Sequence, residues 1–417
     1  MEHLIIGAGP AGIIAAETLR RVDQQCSITV INAENEPPYS RMAIPYLLTG
    51  SIDESGAYLR RAEGHCEDLR IIQVSGRVEK IAPKQKILTL ASGETRRYDR
   101  LLVASGSTPV LPPIPGADGA GIETCWTLSD ARAIALGTGK GSRVVLLGAG
   151  FIGCIVLQAL ASRGVHLTVV EMEDRMLPRM MDKVGAAMLK TWCEKKGVCV
   201  RTSTRVDSIS GTPGDLTLVL SDGSRIAADT VISAAGVRPS IDFLGGSGIA
   251  VDQGVLVNDR LESSVPDVFA AGDVAQGREF LTGRREIHAI QPTASEHGRI
   301  AALNMAGKNS VYVGSLSMNV LNTIGLISHS FGQWNGLDRG EDSILADADN
   351  FKYMRLNFDD DRLIGALTLG FTQHVGAIRG LIQSRVRLGD WRDRLIGNPT
   401  QVMEAFVACT NGAILKG

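Results

Sequence analysis

The sequence predicts an α/β protein with two doubly wound, parallel-sheet units and a smaller α+β segment at the C-terminal end. Three observations carry this. Two stretches, "HLIIGAGPAGIIAAETLRR" from residue 3 and "SRVVLLGAGFIG" from residue 142, share one plan: an apolar strand, glycines spaced G-x-G-x-x-G, then the start of a helix. Each is followed at βαβ spacing by another short strand, "CSITVIN" and "VHLTVVE". From residue 313 onwards no such fingerprint recurs, and alternating strands and short helices take over.

In the first copy, Gly7 permits the tight turn, Gly9 lets backbone approach a pyrophosphate, and Gly12 lets helix pack on strand. Pro10 and Ala11 open a helix whose N–H groups and positive dipole end face phosphate. Many dinucleotide sites carry an acidic residue at the end of the second strand; here residue 32 is Asn. Glu34, on the same side of an extended strand, is the candidate ribose ligand, with a solvated turn residue as the bland alternative.

The second copy, "VVLLGAGFIGCIVLQALASRG", is uncharged from Val144 to Ala161, almost the length of a membrane helix. Gly148, Gly150 and Gly153, with Phe151 and Ile152 at the helix start, argue instead for a phosphate cradle. Glu171 ends the next strand 21 residues after Gly150, the spacing of a carboxylate that binds an adenosine ribose. A duplicated frame with one acidic partner is far more specific than a lone glycine motif.

In the C-terminal segment, "NFKYMRLNFDDDRLIGALTLG" (350–370) reads as two strands around a turn. "TQHVGAIRGLIQSRV" reads as a helix, and "PTQVMEAFVACTNG" as another ending at Gly412. Trp334 and Trp391 are candidate interface anchors, with core packing the favoured role for each. Arg379, Arg385, Arg387, Arg392 and Arg394 form a basic stretch, a solvated face by preference and a docking patch for an acidic iron–sulfur protein as the alternative.

Bulk composition narrows the function classes. A net charge of −2 offers no basic field for nucleic acid. The 47 glycines in 417 residues exceed the usual ~7% and fit many tight turns. The seven cysteines show no C-x-x-C or C-x4-C pair, which argues against a disulfide scaffold, a metal site or a paired redox motif and for free thiols in a reducing cytoplasm. The N-terminal "MEHLIIGAGPAG" lacks a basic, apolar and cleavage-site series, so neither secretion nor a membrane partner is expected.

Further stretches complete a known pattern. "YDRLLVASGSTPVLPPIPG" (98–116), "VISAAGVRPS" (231–240), "VPDVFAAGDVA" (265–275), "IQPTASEHGRIAALNMAG" (290–307) and "PPYSR" (37–41) occur in order. Together with the two fingerprints they resemble the two-dinucleotide-binding-domain flavoprotein family of FAD/NAD(P)-dependent pyridine nucleotide oxidoreductases. The branch includes NADH:rubredoxin reductases, ferredoxin reductases and the flavin portion of NADH-dependent nitrite reductases. The resemblance covers most of the first 310 residues.

The resemblance implies FAD contacts at Gly7, Gly9, Pro10, Ala11, Gly12, Glu34, Arg41, Val78, Ala104, Ser105, Gly106, Gly272, Asp273, Pro292 and Thr293. It implies nicotinamide-cofactor contacts at Gly148, Gly150, Phe151, Ile152, Gly153, Glu171 and Gly236. Glu171 favours NADH over NADPH, because a carboxylate binds a free 2′-hydroxyl and repels a 2′-phosphate; Arg175 nearby is the one cation that bears on this. The helix near Pro292 would point its N-terminus at the flavin and favour its reduced anion. The implied domains are FAD-binding 1–114 with 240–312, NAD-binding 115–239, and an interface or dimerisation domain at 313–417.

Two departures stand out. Met42 occupies the position of the single catalytic cysteine of disulfide-reducing relatives. Tyr46 and Ile155 occupy the positions where ferredoxin-reductase-like relatives place a Lys and a Glu beside flavin N5, and the two charges are missing together. Losing that cation is expected to lower the flavin potential. Tyr46 is read either as a cover over the flavin or as an aromatic packed in an apolar loop. Cys154 is read as a small helix-packing residue.

The expectation is an enzyme that passes hydride from NADH to FAD across roughly 3–3.5 Å and electrons on to a rubredoxin-like or iron–sulfur protein, without a redox cysteine or a metal. The alternatives are an FAD-binding subunit of a larger redox complex with weak or lost NADH reactivity, and a peroxide-forming NADH oxidase.

Overall fold

The computed structural model describes residues 1–414, with side chains to residue 410. The chain divides into two compact units, 1–109 with 237–315, and 110–236 with 316–417.

The first unit is built on a five-stranded sheet in the order Val268–Ala270, Arg100–Val103, Glu2–Ile6, Ser27–Asn32, Ile71–Ser75, every pair parallel. Parallel strands are covered on both faces, and these read as continuous apolar runs: Ile5, Ile28, Leu101 and Leu102 are fully buried. Helix Pro10–Val22 connects the first two strands and packs against helix Gln291–Met305. The two helices approach so closely that a Cβ on Gly298 would lie 2.2 Å from the Ala11 carbonyl oxygen. An antiparallel sheet of Val78–Ala82, Ile87–Leu90 and Thr95–Arg97 completes the unit's core through Ile81, Leu88 and Leu90.

The second unit repeats the plan with the strand order Cys199–Arg201, His166–Val170, Arg143–Leu147, Thr230–Ser233, Ile122–Thr124, again all parallel. Its fingerprint strand Arg143–Leu147 is central, as Glu2–Ile6 is in the first, and helix Phe151–Ser162 follows it. The uncharged run from Val144 is therefore a buried strand, turn and helix. Among the described residues no helix is long and apolar enough to cross a membrane.

The C-terminal segment of this unit is an antiparallel sheet in the order Met318–Thr323, Leu326–Gly332, Arg362–Leu369, Lys352–Asp359, Glu341–Asp347. The hairpin read from 350–370 is the pair Lys352–Asp359 and Arg362–Leu369, turning at Asp360. Helix Val375–Ser384 buries Ile378, Leu381 and Ile382. The last helix runs Val402–Ile414, past the Gly412 stop expected from sequence.

Candidate functional site

In the first unit, the sequence-predicted residues gather where three adjacent parallel strands end. Gly7 follows Ile6, Ala104 follows Val103, and Ala271–Asp273 follow Ala270, in strands paired in that register. This is the carboxyl edge at which open α/β sheets bind ligands. Gly7 has φ +107°, and a Cβ there would sit 2.2 Å from the Ala104 oxygen; one on Gly12 would sit 1.9 Å from the Gly7 oxygen. Those two glycines are demanded by the protein itself. At Gly9, a Cβ would meet nothing within 4 Å, so the space above it is open to a ligand. The first helical bond runs from Ile13 N–H to the Gly9 carbonyl, which leaves the N–H groups of Ala11 and Gly12 without a helical acceptor.

Around this turn, the half-buried Asp273 accepts the Ser107 hydroxyl at 2.9 Å. Burial pushes its carboxyl above the ordinary carboxylate range, opposed by Ser107 and by the Arg41 guanidinium. Gly272, at φ +77°, lies against Ala11 and Ala294. Ser105 donates to the Ser240 carbonyl at 2.9 Å, and Gly106 accepts the Ser240 N–H at 3.0 Å. Helix Gln291–Met305 carries the buried Thr293 and the exposed Pro292 in its first turn, and Ser40 donates to Gln291 Oε1 at 2.5 Å. His297, buried on the same helix, accepts the Gly272 N–H at 3.4 Å, and burial lowers its pKa to about 3.

Glu34 and Arg41 meet in an ion pair at 2.5 Å, with the Tyr39 hydroxyl donating to Glu34 at 2.6 Å and accepting from Arg41 at 2.9 Å. Glu34 is not on an extended strand, as sequence suggested. The strand ends at Asn32, whose side chain accepts the Glu34 N–H at 3.3 Å and donates to the Glu36 carbonyl at 3.1 Å, closing a turn.

The second unit carries the same cradle. A Cβ on Gly148 (φ +98°) would lie 2.6 Å from the Ala234 oxygen, and one on Gly153 2.1 Å from the Gly148 oxygen, while Gly150 faces open space. Helix Phe151–Ser162 starts its bonding at Cys154 N–H, leaving the N–H groups of Phe151, Ile152 and Gly153 for a ligand. Glu171 is buried, and its carboxylate accepts the Ala149 N–H at 2.6 Å and the Glu173 N–H at 2.8 Å. Arg175 is turned away onto Asp174 at 2.6 Å and the carbonyls of Met181 and Pro178. Gly236, at φ +111°, also borders open space.

Both cradles fit a dinucleotide on the same observation: the protein needs its first and third glycines for its own packing, whereas the middle one is open. No group of three or more His, Cys, Asp or Glu side chains is arranged for a metal among the described residues.

Val78 heads a strand inside the apolar core. Tyr46 is 60% exposed rather than packed. Ile155 is half-buried on helix Phe151–Ser162. Cys154 is fully buried, its thiol donating to the Ala149 carbonyl, and burial raises its pKa well above the ordinary thiol value. Met42 is exposed. Of the C-terminal arginines, Arg392 pairs with Glu341 at 2.6 Å and Arg394 lies over Trp391 at 4.7 Å, so much of that charge is engaged. Sequence reasoning quoted the stretches that hold Ser107 and Tyr39 but assigned neither residue a role; each is recognisable only by its partner, Asp273 for Ser107 and the Glu34–Arg41 pair for Tyr39.

Comparison with known proteins gives two family matches: pyridine nucleotide-disulphide oxidoreductase over residues 1–298, and rubredoxin NAD+ reductase C-terminal domain over 318–386. The chain is 30% identical to the NADH-dependent phenylglyoxylate dehydrogenase subunit epsilon of Aromatoleum evansii, over 98% of both chains. It is 29% identical to the NADH-rubredoxin oxidoreductase of Clostridium acetobutylicum, over 79% of this chain and 81% of that one. In fold it resembles the reductase of the covalent putidaredoxin reductase–putidaredoxin complex, with a TM-score of 0.90 and 22% identity over 98% and 99% of the two chains. With its duplicated glycine cradle and the match over residues 1–298, the chain belongs to the pyridine nucleotide-disulphide oxidoreductase family.

Proposed function

We infer that this chain is an FAD-dependent NADH oxidoreductase that delivers electrons to a small redox protein of rubredoxin or iron–sulfur type. The observation that carries the reading is the repeated cradle, open above Gly9 and Gly150, with the buried Glu171 carboxylate in the second copy. When bound, FAD supplies hydride acceptance from NADH and onward electron delivery. The chain's own residues bind and orient. Gly7, Gly9, Pro10, Ala11 and Gly12 offer backbone to the FAD pyrophosphate, and Asp273 accepts a ribityl hydroxyl while Ser107 holds it in place. Glu34, locked by Arg41 and Tyr39, presents a carboxylate at the adenosine ribose. Glu171 takes the 2′- and 3′-hydroxyls of NADH, and Arg175, committed to Asp174, is not free to take a 2′-phosphate.

In this reading residues 1–114 with 240–312 hold FAD, 115–239 hold NADH, and 313–417 form an interface domain; the site of action is the cytoplasm. Five of the seven thiols are buried, and with Met42 at the cysteine position this reading assigns no cysteine relay. The C-terminal match to a rubredoxin NAD+ reductase domain favours a protein acceptor over dioxygen. The end-to-end relative is itself named as a subunit, which favours a place in a larger NADH-dependent complex as a second setting for the same chemistry.

The test is NADH oxidation with ferricyanide, a rubredoxin or a [2Fe–2S] ferredoxin as acceptor. Turnover of at least one protein acceptor well above the rate with dioxygen is expected. Turnover with ferricyanide and dioxygen alone would contradict a protein acceptor.

A further inference from the structure

The loop that begins at Glu171 ends against the C-terminal sheet of its own unit. Between Glu171 and Asp182 the chain has no regular structure, and it touches the cradle through backbone. Leu177 donates its N–H to the Ala149 carbonyl at 2.8 Å, and its own carbonyl accepts the Met180 and Met181 N–H groups at 2.9 Å. Leu177 is buried at φ +52°, a left-handed conformation that persists in a bulky residue only where the surroundings over-determine it.

The loop ends at Asp182, which caps helix Lys183–Lys195 by accepting the Gly185 N–H at 3.0 Å. Its second oxygen accepts the Tyr353 hydroxyl at 2.5 Å, with Arg355 3.5 Å away and itself paired to Asp342 at 2.9 Å. Tyr353 is 1% exposed. A Cβ on Gly185 would stand 2.9 Å from Met181 and 3.3 Å from the Tyr353 ring, so loop, helix and sheet are in direct contact. At the far end of the helix, Trp192 donates to the Ile324 carbonyl at 3.1 Å and meets Phe351 edge-on at 5.1 Å.

We propose that Tyr353 is a positioning residue for NADH: through Asp182 it fixes the loop that presents Glu171, so the C-terminal sheet sets nucleotide affinity without touching nucleotide. The proposal rests on Glu171 as the ribose ligand. Both ends of the helix are tied to the sheet, but only the Asp182 end continues into the loop, and this makes the two ends separable.

The test compares FAD-loaded wild type, Tyr353→Phe and Trp192→Phe. Loss of one hydrogen bond to a charged group corresponds to about ten-fold in affinity. Tyr353→Phe is expected to raise the NADH Kd and KM about ten-fold, leave kcat within about two-fold, and speed amide exchange across 171–182. Trp192→Phe is expected to lower Tm while leaving KM and loop exchange near wild type. Unchanged KM and exchange in Tyr353→Phe, or an equal rise of KM in Trp192→Phe, would overturn the proposal. Absence of NADH binding to wild type would instead remove the Glu171 reading, and loop exchange in the nucleotide-free protein would still decide whether Tyr353 holds the loop.

Discussion

The Glu171 carboxylate accepts the Ala149 backbone N–H at 2.6 Å, tying the end of the second strand to the middle of the glycine turn. A second backbone donor, Glu173 N–H, fixes its other oxygen at 2.8 Å. The carboxylate therefore stands ready in a defined place before any nucleotide arrives, and binding need not order it.

Replacing Glu171 with Ala removes the proposed ribose partner and leaves the buried Ala149 N–H unpaired. We expect kcat/KM for NADH to fall roughly ten-fold or more, with a smaller change for NADPH, so that the preference between the two narrows. Steady-state kinetics with both nucleotides checks this; an unchanged NADH/NADPH ratio would contradict the assigned role.

The glycines divide into two classes by what a methyl group would meet. Gly9→Ala and Gly150→Ala add a Cβ to open space and should cost the cofactor-free fold no more than about 1 kcal/mol. They should nonetheless weaken FAD and NADH binding respectively. Gly12→Ala and Gly153→Ala drive a Cβ to within 1.9 and 2.1 Å of a carbonyl oxygen and should destabilise the fold itself. Chemical denaturation of cofactor-free protein beside cofactor titrations separates the classes.

Asp273→Ala should reduce FAD retention more than stability. Its hydroxyl donor, Ser107, is a neutral side chain that tolerates the loss, whereas a bound ribityl chain would lose the carboxylate proposed for it. The ratio of flavin to protein absorbance after gel filtration, beside circular dichroism, measures the two effects; full flavin retention would sink the assignment.

Two buried histidines make stability pH-dependent. His3 is fully buried with neither ring nitrogen hydrogen-bonded, and burial lowers its pKa to about 4; that of His297 is lowered to about 3. Because the folded values lie below the unfolded value of about 6.5, neither matters above that pH. As pH falls below it, the unfolded state gains the proton first, and stability is lost progressively toward pH 4. Each contributes a loss of roughly 2 kcal/mol by pH 5. His3→Leu should flatten the fall between pH 7 and 5; an unaltered slope would contradict this.

The duplicated cradle was legible because its constraints are local: a Cβ on Gly12 would strike the Gly7 carbonyl and one on Gly153 the Gly148 carbonyl, each five residues back. The parallel strands were legible as apolar runs of a length set by the fold. Less legible was anything made by distant partners, such as Ser107 on Asp273, 166 residues apart, or Tyr353 on Asp182, 171 apart. Tyr46 shows how local context misleads. Its neighbours in "AIPYLL" suggest an apolar loop, but the segment is the short helix Ile44–Leu48. Ile44 and Leu48, four apart, share its buried face, and Tyr46 falls on the opposite one, 60% exposed. Glu34 was read as lying along an extended strand, but a turn closed by the Asn32 side chain sets its place.

Reduction by NADH of the FAD held by this chain is the step on which the function turns. It is tested most directly by mixing FAD-loaded protein with NADH anaerobically and following flavin absorbance at about 450 nm, a property of the cofactor. Bleaching is expected within milliseconds to seconds, faster with NADH than with NADPH. Persistent yellow colour with both nucleotides would contradict it.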